Sequence, residues 1–204
     1  MKDQSALNHA LDQLCILEPK CRAILGSLGY PPPRVYSPGF HSLANIIISQ
    51  QLSTHAATAI ATRFSKLVCG VGVHEVATMP ETSLREIGLS KQKIAYLQAL
   101  SDAVAKGELD FDTLPSLGDI AAIKALSAVK GIGTWTAEIY LMFAEQRQDI
   151  WPAADLALQV AVGALYSLDQ RPTAAHTREL TAHWSPFRSA GAILMWHLYA
   201  NLQR

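Results

Sequence analysis

The stretch Leu126-Ser-Ala-Val-Lys-Gly-Ile-Gly-Thr-Trp-Thr-Ala-Glu138 decides how this chain is read. Two glycines flank one apolar residue, with helix-forming sequence on either side. Gly131 and Gly133 lack a Cβ, so both can take positive φ and admit a close backbone neighbour. Ile132 can plug the groove where the two helices meet. The amides of Gly131, Gly133 and the next helical turn then face outward with the positive end of the helix dipole. That arrangement is an anion site, and a backbone phosphate is the natural anion. A bare Gly-x-Gly is most often an ordinary helix–helix corner. Val129 before the turn and Trp135-Thr-Ala-Glu138 after it favour the anion-binding hairpin.

Working outward, the chain reads as short helices. Leu7, Leu11, Leu14 and Leu17 repeat at helical spacing and stop before Pro19. Leu43, Ile46, Ile47 and Ile48 form a second stripe ending near Gln50-Gln51, and Ser53 or Thr54 can cap the next helix. Ser90 opens a helix with Ile94, Leu97, Leu100 and Val104 inward and Gly107 as its stop. Asp119 is expected to cap the helix of Ile120, Ile123 and Leu126. The hairpin leads into a helix from about Thr134 to Glu145. Asp155 precedes Leu156 to Leu165, and Pro172-Thr173 and Ser185-Pro186 open the last two helices. Tyr30 to Gly39, with four prolines, is the one clear connecting segment.

Composition agrees. Alanine and leucine supply 56 of 204 residues, and alternating β-branched runs are nearly absent, which favours an all-α fold. Half the residues are hydrophobic and 17% charged, so the chain is not generally disordered. Cys15, Cys21 and Cys69 include no CxxC pair, which argues against a disulfide framework or zinc site and for a reducing compartment. No signal peptide, membrane span, Walker motif or dinucleotide fingerprint is found. The histidines lack ligand spacing: neither His41 with His55 nor His176 with His183 has a third partner nearby. With 17 basic and 17 acidic side chains, the net charge is zero, which argues against a broad phosphate-neutralising surface.

Four separated segments carry a family resemblance: Ile48-Ser-Gln-Gln-Leu-Ser53, Gly88-Leu-Ser-Lys-Gln-Lys93, the hairpin at 126–138, and Trp151-Pro-Ala-Ala-Asp-Leu-Ala-Leu-Gln159. Together they resemble the helix-hairpin-helix (HhH-GPD) DNA glycosylases, specifically the 3-methyladenine DNA glycosylase II (AlkA-like) branch. The resemblance runs from about Phe40 to the C-terminus and suggests a small form without an N-terminal β-domain. It implies two helical lobes with the active site between them. One lobe is expected over about 42–147, and the other over about 1–41 with 148–204. It also implies phosphate binding by the amides of Gly131, Gly133 and Thr136, beside Lys130. A Na+ or K+ ion on the carbonyls of Ser127, Val129 and Ile132 would be an optional aid, with no other cofactor.

Asp155 occupies the place of the family's essential aspartate. A position at a helix N-terminus also favours an ionised carboxylate. Relatives often carry an acidic residue or glycine just before it, where this chain has Ala154; the apolar register of Leu158 and Ala161 keeps Asp155 in place. Two residues beyond the second hairpin glycine, the backbone-cleaving relatives have a nucleophilic lysine. Here that residue is Trp135, which implies a monofunctional hydrolase that stops at an abasic site. A cationic alkylated purine would be met by Trp135 and Trp196, with Phe40, His41 and Tyr140 behind them. Met142, Phe143 and Trp184 read as core.

Gln51 sits where the family places a plug into the hole left by the flipped nucleotide, and Ser53 should lie along the minor groove. Ser90 and Lys93 resemble a helix-start phosphate contact. The partner implied is double-stranded DNA with damaged bases, bound by a monomer in the cytoplasm, or in the nucleus of a eukaryote. Two other readings stay open. The same fold could serve another lesion (hypoxanthine, ethenoadenine or uracil), or the chain could be a non-catalytic helix-hairpin-helix DNA-binding module.

Overall fold

A computed structural model describes residues 2–202. In chain order its helices are α1 Gln4–Leu17, α2 Lys20–Leu28, α3 Phe40–Ser49, α4 Thr54–Leu67, α5 Val73–Ala77, α6 Glu81–Glu86 and α7 Lys91–Ala105. After a 3-10 turn at Leu114–Ser116 come α8 Asp119–Ser127, α9 Thr134–Phe143, α10 Leu156–Leu165 and α11 Ala174–Leu180. A second 3-10 turn, Ala182–Trp184, precedes α12 Arg188–Leu202. There is no strand among the described residues, and the all-α reading holds.

Helix starts follow from side-chain chemistry. Asp3, Ser53, Ser90, Asp155 and Thr173 each accept a hydrogen bond from the amide three residues on, at Ala6, Ala56, Lys93, Leu158 and His176. Each such cap stabilises its helix by about 1 kcal/mol. Asp119 departs from expectation. Gly118 is the extended N-cap of α8, and Asp119 is its first helical residue, where its charge faces the positive dipole end instead. The helix after the hairpin ends at Phe143 rather than Glu145, and the last helix opens at Arg188, beyond Ser185-Pro186. Asp149 accounts for that later start: its carboxylate takes 2.7 Å bonds from Arg188 Nε and Nη2 and from Ser185 Oγ.

The chain divides into two compact units, residues 36–140 and residues 1–35 with 141–204. The expected boundaries, after 41 and after 147, lie a few residues later; the observed second boundary falls inside α9. In the 36–140 unit, α7 packs against α3, α5 and α6, and α3 against α4. Leu43, Ile47, Ile48, Phe64, Leu84 and Leu97 are fully buried there. Removing each such side chain from water contributes about 1.5–3 kcal/mol before the entropy of ordering is subtracted. Ser101 Oγ donates to the carbonyl of Val73 and ties α7 to the start of α5.

In the other unit, α12 packs on α1, α2 and α10, burying Leu7, Leu11 and Leu14. Gly191 permits this. A Cβ there would stand 2.5 Å from the Trp184 ring and 3.3 Å from Leu14. Trp184, Met142 and Phe143 are buried, as core residues should be. Cys15 and Cys21 are buried and Cys69 exposed, all three as free thiols. Among the described residues no helix is long and apolar enough to cross a membrane. Nor is there a group of three or more His, Cys, Asp or Glu side chains able to hold a metal.

Candidate functional site

The residues singled out in the sequence form two constellations, one in each unit. In the 36–140 unit, α8 ends at Ser127 and α9 begins at Thr134, with the glycine turn connecting them. Ile132 and Val129 are buried, and the Ile132 amide donates to the Val129 carbonyl at 3.1 Å, closing the turn. The two glycines are needed for different reasons. Gly131 has φ +93°, and a Cβ on it would lie 2.1 Å from Cγ of Tyr96. Gly133 does not take a positive φ; it is exposed, with nothing within 4 Å of where a Cβ would be. Its missing side chain leaves the backbone open toward solvent, where a ligand would arrive. The amides of a helix's first turn have no carbonyl within the helix to bond, and α9 begins at Thr134, directly after Gly133.

A cleft of about 460 Å³ runs along this hairpin, with Gln50, Gln51, Lys93 and Tyr96 facing it. Gln50 Nε2 donates to Thr136 Oγ1 at 3.0 Å and to the Gly131 carbonyl at 3.4 Å. Lys93 Nζ donates to the carbonyls of Ile48 and Gln50, at 2.6 and 2.8 Å. Burial of this ammonium pulls its pKa below the usual lysine range. Thus two of the three Lys93 donors are spent on the C-terminal end of α3, and the expected phosphate contact is not the job these bonds serve. Ser90 and Ser53 both use their hydroxyls as caps, of α7 and α4. Gln51 is exposed and holds φ +55°, a left-handed conformation uncommon for a residue with a side chain. Lys130 is exposed on the turn.

In the same unit, Tyr140 is fully buried and its hydroxyl accepts from the Gly39 amide at 2.8 Å. Its ring leans on Phe111, 5.7 Å between centroids. Phe40 is buried at the start of α3, edge-on to the exposed His41. Tyr140 and Phe40 therefore pack and position, and their rings do not offer an open face. Trp135 lies half-buried in the first turn of α9.

The second constellation belongs to the other unit. Asp155 caps α10: its Oδ1 accepts from the Leu158 amide at 3.1 Å and from Trp196 Nε1 at 3.2 Å. The aspartate is half-buried, whereas Ala154 is exposed, so the register places the carboxyl, not the alanine, against the indole. The half-buried Trp196 ring stacks obliquely on Phe143, centroids 5.9 Å apart. Arg34 reaches over it, with Cζ 5.8 Å from the Trp196 centroid and 5.9 Å from that of Phe143. The Arg34 guanidinium thus occupies one side of an electron-rich indole, a cation–π placement.

Sequence reasoning missed Gln50, Tyr96 and Arg34. Gln92, Lys93 and Tyr96 share one face of α7 at spacings of three and four, and Gln92 Nε2 donates to Tyr96 Oη at 2.6 Å. That polar and aromatic face was the available signal. Arg34 lay in a proline-rich segment read only as a connection.

A glycine hairpin ahead of a helix N-terminus, within a wholly helical chain, defines the helix-hairpin-helix class. The family described as HhH-GPD superfamily base excision DNA repair protein matches residues 44–186. DNA-3-methyladenine glycosylase 1 of Schizosaccharomyces pombe is 32% identical over 162 residues, covering 77% of this chain and 71% of that protein. YfjP of Bacillus subtilis is 28% identical over 77% of this chain, which spans only 58% of YfjP. The solved structure of the S. pombe 3-methyladenine DNA glycosylase Mag1 with abasic DNA superposes with a TM-score of 0.84 at 28% identity, covering 96% of this chain and 97% of that one. The chain belongs to the HhH-GPD superfamily of base excision DNA repair proteins.

Proposed function

We propose that this protein is a DNA glycosylase that hydrolytically releases alkylated bases, of the 3-methyladenine and 7-methylguanine type, from duplex DNA and leaves an abasic site. The observation that carries the reading is Asp155, whose Oδ1 is held by the Leu158 amide and the Trp196 indole N–H. The S. pombe relatives named for 3-methyladenine excision support the substrate class.

The chemistry follows from that geometry. Extruding a nucleotide from the stack costs a few kcal/mol. As the N-glycosidic bond lengthens, positive charge develops on the sugar. A carboxylate whose orientation is already fixed stabilises that charge without reorganising, and can orient or deprotonate the attacking water. An alkylated base is cationic and leaves readily, so one carboxylate serves where most glycoside hydrolases use two. The Trp196 indole, which already attracts the Arg34 guanidinium, suits a cationic ring once that side chain swings aside. At the position two residues past Gly133 there is an indole in place of an amine, so no Schiff base forms there and the backbone stays intact. The amides at Gly131, Gly133 and Thr136 grip a phosphate. The orphaned, buried Oγ of Ser127 and the oxygens at the negative end of α8 suit a hard monovalent cation, which the carbonyls of Ser127, Val129 and Ile132 would hold.

The test is an abasic-site assay on methylated duplex DNA. Base release is expected, with strand scission only after alkali or heat; scission without treatment would contradict the role read from Trp135. A panel of oligonucleotides carrying hypoxanthine, ethenoadenine or uracil separates the alkyl-base reading from other lesion specificities. Binding without release of any base would leave a DNA-binding module.

A further inference from the structure

Gln51 adopts a left-handed backbone conformation, and such strain persists only where neighbours over-determine it. Three sets of bonds do so. Lys93 Nζ clamps the carbonyls of Ile48 and Gln50, the leftover acceptors at the negative end of α3. The Gln50 amide returns to the Ile47 carbonyl at 3.2 Å, and the Leu52 amide to the Ser49 carbonyl at 3.3 Å. The Gln50 side chain then crosses to the hairpin, with one Nε2 hydrogen for Thr136 Oγ1 and the other for the Gly131 carbonyl. Every polar group that Gln50 holds by these bonds joins a different element: α3, α7, the glycine turn or α9. Gln51, by contrast, projects an exposed side chain from this fixed base.

We propose that Gln50 and Lys93 are positioning residues that join the Gln51 turn to the glycine hairpin, so that the Gln51 side chain is aimed from a base fixed to the hairpin. The inference rests on the reading of Gln51 as the group that enters the DNA stack. Their contribution runs through Gln51: with Gln50 cut away, Gln51 relaxes toward ordinary φ and its side chain loses its direction. Thr136 has a double part, since its amide lies in the phosphate-binding turn while its hydroxyl reports to Gln50.

The experiment is a double-mutant cycle on the full chain, with Gln50→Ala, Lys93→Met, Gln51→Ala and each of the first two combined with Gln51→Ala. The readout is the fluorescence of 2-aminopurine placed opposite an abasic analogue in a duplex, which reports unstacking without requiring catalysis. Affinity for undamaged duplex and thermal melting are measured alongside. Gln50→Ala and Lys93→Met should each reduce the unstacking equilibrium by about tenfold in the wild-type background and less than about twofold once Gln51 is alanine. Affinity for undamaged duplex should change by less than about threefold, because the hairpin amides remain. Equal losses in both backgrounds would overturn the proposal and reduce these residues to structural glue. Wild-type base release is scored separately. Release with an additive cycle refutes the positioning role alone, whereas a coupled cycle without release refutes the glycosylase reading and keeps the coupling. Absence of DNA binding by the wild type overturns both.

Discussion

Asp155 performs two tasks with one oxygen, and they can be separated. As a cap it needs an acceptor for the Leu158 amide, and as a partner of Trp196 it needs an acceptor for the indole N–H. Asparagine supplies that oxygen and caps as well as aspartate. Asp155→Asn should therefore leave the melting temperature almost unchanged and DNA affinity within about threefold, while lowering single-turnover base release by at least about 100-fold, since only the charge is lost. Persisting activity would remove Asp155 from the chemistry. The hairpin glycines offer a second contrast. Gly131→Ala meets the Tyr96 ring and a positive φ together, so it should lower stability by about 2–4 kcal/mol in denaturant titrations. Gly133→Ala meets nothing and has no unusual φ. It should melt near wild type, within about 1 kcal/mol, yet bind duplex DNA more weakly, because a methyl group covers the approach to the turn's amides. If both variants lost only stability, the outward-facing amides would not be a binding surface.

At the scale of elements, two carboxylates join helices that are far apart in sequence. Burial alone would raise the Glu18 carboxyl, but hydrogen bonds from Tyr166, the Lys20 amide and His183 outweigh it and hold the group below its ordinary value. Burial likewise raises Asp149, and the hydrogen bonds and charge of Arg188, with Ser185, overturn that. Depressed carboxyl pKa values stabilise the fold above the unfolded-state value, near about 4. That stabilisation is lost as pH falls through the folded values. Melting temperature should thus stay level above about pH 5 and fall on the acid side of pH 4. Glu18→Gln with Asp149→Asn should flatten the acid limb and lower stability at neutral pH; a parallel curve would assign the acid loss elsewhere. These long-range pairs explain what sequence left illegible. The helices with caps and stripes, α1, α4, α7 and α10, were read from local chemistry. So were the hairpin and Asp155, because spacing along one or two helices carries them. The Lys20–Leu28 helix and α6 have no side-chain cap or long stripe to announce them, and α5 is too short for a stripe although Glu75 Oε2 accepts from the Gly72 amide at its start. Gln50 escaped notice because its partners, Gly131 and Thr136, are more than 80 residues away. Lys93 was read as a phosphate contact for the same reason, since the carbonyls it holds, those of Ile48 and Gln50, are more than 40 residues away.

For the molecule as a whole, zero net charge and nucleic-acid binding have to be reconciled. The division into units does not conceal a basic half. Residues 36–140 hold 8 basic and 9 acidic side chains, which leaves 9 and 8 of the 17 and 17 for the remainder. Within the hairpin region, Lys93 is committed to backbone carbonyls, and so lends little charge to a ligand. What remains is the exposed Lys130 and the hairpin amides proposed to meet a phosphate, which carry partial charges and displace few counterions. Binding of duplex DNA should therefore show a salt slope equivalent to roughly 2–4 phosphates. In an anisotropy titration, raising salt fourfold from 50 to 200 mM should weaken affinity about 10- to 150-fold. Lys130→Ala should lower the slope by about one unit, while Lys93→Met should leave it nearly unchanged, because its charge already faces carbonyls. A slope equivalent to eight or more phosphates would mean that fixed positive charge, and not backbone amides at a helix start, supplies most of the grip.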